Sequence, residues 1–160
     1  MRFLVVLGVL ASLASPPVVD RVDTAPSARS DLVEALEVLH SWDDRRADAW
    51  AGADAEALRS LYVRGSAAGR ADARLLRAYA DRGLVVRRLV TQVFAVRILD
   101  RDATRLKLSV FDRVAGGEVL QDGRVVALRS SPPVTRTVVF RLVSGRWLVA
   151  SVREAPGSPH

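Results

Sequence analysis

The chain contains no cysteine, one lysine and one methionine. Without cysteine there is no disulfide, no thiolate metal site, no cysteine nucleophile and no lipid-modified cysteine behind an export leader. Histidine is almost as scarce: His40 is the only one in the part expected to fold, and His160 ends the chain. One folded histidine and no cysteine argue against zinc, and no metal site is expected. Four catalytic signatures are missing: the G-x-S-x-G elbow, H-E-x-x-H, the Walker A loop and the G-x-G-x-x-G turn. No cofactor is therefore expected. No RNP-like mixture of aromatic and basic residues appears, so nucleic acid is not an expected partner. The apolar leader is too short to cross a bilayer of ~30 Å as a helix.

What is present suits one globular domain: 160 residues, 49% hydrophobic and 26% charged. All but Lys107 of the 24 basic residues are arginine. With abundant Ala and Val, this resembles the codon bias of a GC-rich, actinobacterial-type genome. The net charge of +6 is uneven: residues 20–83 are slightly acidic and residues 84–154 basic. Solvated arginines on an outer sheet face account for that asymmetry.

Met1-Arg2, the apolar stretch 3–10 and the small residues Ser12 and Ala14 have the order of a secretory signal peptide. Residues 1–14 are thus expected to be a leader, 15–29 a flexible linker, 30–154 the domain and 155–160 a tail. A cleaved leader places the domain outside the cytoplasm. A retained leader tethers it to a membrane.

Periodicity divides the domain. Ser30 is the expected cap of a long amphipathic helix to about Ala51, with Leu39, Trp42 and Trp50 on its apolar face. In that reading the charged run Asp43-Asp44-Arg45-Arg46 is solvated. Asp54 caps a short second helix carrying Leu58, Leu61 and Tyr62. Residues 65–69 read as a break, and 71–82 as a third helix burying Leu75, Leu76 and Tyr79. Gly83 is the expected left-handed residue after it. Strand-like alternation fills the rest. Residues 84–99 form one strand and 104–115 another, broken at Gly116-Gly117. A hairpin turns at Asp122-Gly123, and a second joins 134–143 to 146–153 about Ser144-Gly145. Its register puts Leu142 opposite Trp147 and Phe140 opposite Val149, with Arg136 and Ser151 on that same face.

Helices followed by a meander of strands specify an α+β domain. This order, with Trp42 and Trp50 in the first helix and Gly145-Arg146-Trp147-Leu148-Val149 in the closing strand, resembles the NTF2-like (SnoaL-like) superfamily. The resemblance covers about residues 31–154. It implies a cone: three helices wrapped by a strongly curved, mostly antiparallel sheet of about four to six strands. It also implies a cavity at one end and pairing of domains through the outer sheet surface.

Asp112 is the leading candidate for chemistry. It is in phase with Leu106, Leu108 and Val110 and so faces inward, where a carboxylate needs a partner or a raised pKa. Arg88 and Gln92 share a phase with Val86, Val90 and Phe94 and are expected to line a pocket with Asp112, together with Trp42 and Tyr62. In some dehydratases and isomerases of the superfamily a His or Asp works with Tyr residues inside the cone, and the comparable set here is His40, Asp43, Tyr62, Tyr79 and Asp112. No catalytic role is carried over, and Asp112, Tyr62 and His40 stand as candidates only. Phe111, in phase with Ser109 and Arg113 on the polar face, marks an interface.

The expected role is an exported, non-catalytic accessory of the cell envelope that binds a small hydrophobic ligand or an envelope protein, with a second copy docking on the outer sheet. Two alternatives stand beside it. One is an isomerase or dehydratase using Asp112, and the other is a membrane-tethered module with a basic sheet face.

Overall fold

The computed structural model describes residues 24–155, and the expected leader and residues 156–160 of the expected tail lie outside them. Three helices come first: α1 (Thr24–Ala51), α2 (Ala55–Ser60) and α3 (Ala67–Ala80). Five strands follow: β1 (Val85–Arg101), β2 (Arg105–Gln121), β3 (Arg124–Leu128), β4 (Val134–Val143) and β5 (Arg146–Glu154).

Helix α1 begins earlier than expected, within the stretch read as a linker, and Ser30 lies inside it. Pro26 falls in the first turn, where a backbone N–H has no intrahelical partner and its absence costs nothing. Arg101, at the end of β1, donates to the carbonyl of Asp31 and pairs with Glu34, fastening this half of α1 to the sheet. Asp54 caps α2 as its spacing suggests, accepting from the amides of Glu56 and Ala57 at 2.9 Å.

The expected break at 65–69 is instead the start of α3. Ser66 caps it by accepting from the Gly69 amide, and Gly69 lies inside the helix. Gly69 is there because Tyr62 packs on it: a Cβ at this position would sit 2.7 Å from Tyr62 Cβ and Cγ. The buried face of α3 is Gly69, Ala73 and Leu76. Leu75, expected inside, is 51% exposed.

The five strands pair antiparallel. β1 runs along one edge of β2. The other edge of β2 pairs with β4 over residues 105–112 and with β3 over 117–121, and β5 closes the far side of β4. β2 does not stop at Gly116-Gly117. A Cβ at Gly117 would meet the Arg87 carbonyl at 3.2 Å, so the glycine lets two strands of a bent sheet come close. Both hairpins turn where expected. Asp122 and Ser144 each have φ of 49°, and Gly123 and Gly145 each 75°, as in type I′ turns.

The core lies between α1 and the concave face of the sheet. Ala35, Leu39, Trp42, Ala49 and Trp50 from α1 meet Leu106, Leu108, Val110, Val138, Phe140 and Val149. The ring of Trp42 meets Tyr62 and Phe140 edge-on, at centroid separations of 5.7 and 6.3 Å. Residues 61–63 continue the sheet: Val149 donates to the Leu61 carbonyl and Val63 donates back to Val149.

Gly69→Ala is expected to destabilise the protein by about 1–3 kcal/mol, the usual range for overpacking. Urea unfolding measures it, and a loss below about 0.5 kcal/mol, within the usual scatter of neutral substitutions, would show that the Tyr62 ring can move aside.

Candidate functional site

Irregularities in β1 decide which side chains reach the interior. Its pairing with β2 shifts between Arg87 and Thr91 and again between Val93 and Ala95. Arg88 has φ of 51°, a rare conformation for a residue with a side chain. Each bulge reverses the alternation. Val86 is buried, Leu89 and Val93 pack against the core, and then Val96 and Ile98 do so. Uninterrupted alternation put Arg88, Gln92 and Phe94 inside, and the structure corrects all three. Arg88 is exposed and bonds Glu118 at 2.7 Å. Gln92 is exposed and accepts from Arg113 Nε at 2.9 Å. Phe94 is 47% exposed. A further shift between Val139 and Phe140 pairs Ser151 with Val139 rather than on the buried face expected for it, and returns Val152 opposite the buried Val138.

On β2 the alternation is regular where it matters. Asp112 is 1% exposed. Its partner is not Arg88 but Arg136 of β4, which faces Val110 in the strand register and donates to Asp112 Oδ2. The pair is incompletely satisfied: Asp112 Oδ1 and Arg136 Nε are both buried without a hydrogen-bond partner among the described residues. Unsatisfied buried groups of this kind are costly. Asp112 and Arg136 line a recess of ≈140 Å³ that also touches Trp42, Asp43, Thr91 and Ser131. A second recess of ≈210 Å³ shares Asp43, Arg46 and Thr91 and adds His40 and Leu89.

Asp43, one turn beyond Leu39, is only partly exposed at the junction of the two recesses. Burial raises its carboxyl from 3.8 to about 6 against the lowering effects of Arg136 and Arg46, with Asp112 adding to the rise. Arg46 is not solvated as expected. Its guanidinium lies 6.0 Å from the Trp42 ring centroid and 5.8 Å from that of Trp50. It also makes two 2.7 Å bonds to the Asp72 carboxylate on α3. Burial alone would lower its pKa, and the bond to Asp72 reverses that. Asp43 and Arg46 were legible in part, since Leu39, Trp42, Asp43, Arg46, Ala49 and Trp50 recur at helical spacing. A four-residue charge run concealed them.

The set Asp112, Tyr62 and His40 is not assembled. Tyr62 donates to Asp72 Oδ2 at 2.7 Å, and burial and that carboxylate raise its pKa further out of catalytic range. It lines neither recess. His40 is exposed and reaches only the outer one. Trp42 does line the recess beside Asp112, with its Nε1 donating to the Leu61 carbonyl at 3.3 Å. On the outer face Phe111 is 38% exposed and packs on Phe94 at 5.3 Å, with Arg113 over the Phe94 ring and Ser109 in line with both Phe111 and Arg113.

No protein-family model matches the chain, and no curated protein matches it by sequence. Solved structures do match. The SnoaL-like protein Aln2 from a Streptomyces species aligns over 76% of this chain and 89% of its own, with 18% identity and a TM-score of 0.52. A point variant of the Mycobacterium tuberculosis protein Rv3472, described as of unknown function, aligns over 79% and 73%, with 12% identity and a TM-score of 0.52. An NTF2-like protein with a cystatin-like fold from Novosphingobium aromaticivorans aligns over 88% and 94%, with 18% identity and a TM-score of 0.48. The fold is NTF2-like. In this NTF2-like cone the recess lies between α1, at Trp42, Asp43 and Arg46, and the Asp112–Arg136 pair of the sheet.

Between pH values of 3.8 and about 6 the folded protein holds a proton on Asp43 that the unfolded chain has released. Stability from this group therefore falls as pH rises through that window, by about 3 kcal/mol in all, and levels off above it. Asp43→Asn is expected to remove this decline, so urea unfolding at about pH 3 and about pH 8, either side of the window, should show the variant gaining on the wild type only at the higher value. Parallel behaviour of the two proteins would contradict the burial of Asp43.

Proposed function

We propose that the chain is a ligand-binding domain, an exported and non-catalytic accessory of the cell envelope, whose site is the recess at Asp112 and Arg136. The observation that carries this reading is the pair of unsatisfied buried atoms, Asp112 Oδ1 and Arg136 Nε. A buried acceptor beside a buried donor complements a molecule that presents one donor and one acceptor side by side, such as a carboxamide or an α-hydroxy carbonyl compound. The recess is small and sets its charged groups beside Trp42, Val114 and Val134, so the occupant is a small polar molecule or the polar end of a larger one. This replaces the hydrophobic ligand expected from sequence. The NTF2-like fold supports a ligand-binding or isomerase-like domain in general terms.

One observation favours the second reading, proton transfer on the bound molecule. Asp43, raised to about 6, is near the pH at which a carboxyl serves as both acid and base. Export is supported by the composition of residues 1–14.

A panel of small carboxamides and α-hydroxy ketones titrated into the protein is expected to produce saturable amide shifts at Thr91, Asp112, Val114 and Arg136. Asp112→Asn should weaken the best binder at least tenfold. Equal affinity in the variant, or shifts confined to other regions, would sink the proposal. Deuterium exchange into a bound ketone, lost in Asp43→Asn, would establish the enzymatic reading. Intact mass of protein from cells should lack Met1 to Ala14, and a full-length mass would show a retained leader.

A further inference from the structure

We infer that a groove outside the cone, formed by α2, the α2–α3 connection and the end of the β4–β5 hairpin, binds an anionic amphiphile: a carboxylate on an aliphatic chain. The groove has a volume of ≈570 Å³, within the range of small-molecule sites, and shares no lining residue with the recess at Asp112. Its floor is apolar. Val63, Val143 and Leu148 contribute side chains, and Gly65 contributes none and leaves open space where a Cβ would sit. Val143 is 43% exposed, although it lies in a strand of the main sheet.

The rim carries three arginines, Arg59, Arg64 and Arg70, against one acid, Glu56. Arg59 and Arg64 have no hydrogen bond or ion pair from their side chains among the described residues, and Arg70 donates only to the carbonyl of Gly65. All three are exposed at the edge of the groove, where their guanidinium groups can meet a bound molecule. Charge complementarity therefore selects an anionic head group, since guanidinium binds carboxylate with two parallel hydrogen bonds. The apolar floor selects against an inorganic anion, which would leave Val63, Val143 and Leu148 wet. Together they require a ligand with an anionic end and a hydrocarbon end.

The test uses the full chain and dodecanoate, followed by amide shifts and calorimetry below the micellar range. Two head groups on the same chain serve as controls: dodecyl maltoside and dodecyltrimethylammonium. Dodecanoate is expected to shift residues 63–70 and 143–148, and to bind at least tenfold more tightly than either control. Arg59→Gln combined with Arg64→Gln should remove most of that preference while leaving weak binding of the maltoside unchanged, a readout that does not depend on dodecanoate alone. Equal binding of all three detergents, shifts centred on Asp112, or an undiminished preference in the double variant would overturn the inference. Failure of dodecanoate with specific binding of a glutamate-rich amphipathic peptide would overturn it in favour of a protein partner.

Discussion

A seventeen-residue strand can follow a curved path around one helix only if it bends, and the bend of β1 sets which groups face the interior. A regular strand keeps one set of side chains on one face for its whole length. β1 instead resets its phase at the Arg88 bulge and again before Ala95, so that its core-facing residues stay against α1 as the sheet turns. Gly117 on β2 is the complementary feature: its missing side chain makes room for the Arg87 and Arg88 carbonyls. The recess lies beside this bend, with Thr91 and Asp112 in its lining.

The polar interior divides into two kinds of group. Arg46, Asp72 and Tyr62 satisfy one another and tie α1 to α3 and to the segment preceding it, with the Arg46 cation shared between Trp42 and Trp50. That network is complete and binds the helices together. Asp112 and Arg136 are not complete. They hold a buried charge in an arrangement that leaves a donor and an acceptor unused, and burial pushes the Asp43 carboxyl nearby up to about 6. Stability alone does not favour such a pair. Local cost of this type is expected at sites kept for binding.

Element order, the two I′ turns, the Phe140–Val149 register and the inward direction of Asp112 were readable because each depends on neighbours along the chain or on one regular alternation. The partner of Asp112 was not readable. Arg136 was recognised as facing inward, but its pairing depends on how β2 and β4 align, and no local pattern reports that. Gln92, Arg88 and Phe94 were misplaced because a bulge changes the phase without leaving a glycine or proline in β1 to mark it. Gly69 misled in the opposite direction: its role is close contact with Tyr62 in the segment before α3, and it does not end a helix. The solvated reading of Arg46 failed because charge was given more weight than the helical spacing that sets it between two tryptophans.

A binding site in the recess requires that the Asp112–Arg136 pair be kept for its ligand and not for folding. Urea unfolding of the apolar replacement, Asp112→Leu with Arg136→Met, decides between the two. Stability equal to the wild type, or higher by about 1–4 kcal/mol, is expected, as for other buried ion pairs replaced by apolar residues. A loss of about 3 kcal/mol or more, the range for breaking a buried pair that the fold needs, would make the pair a structural element and remove the main support for a site in the recess.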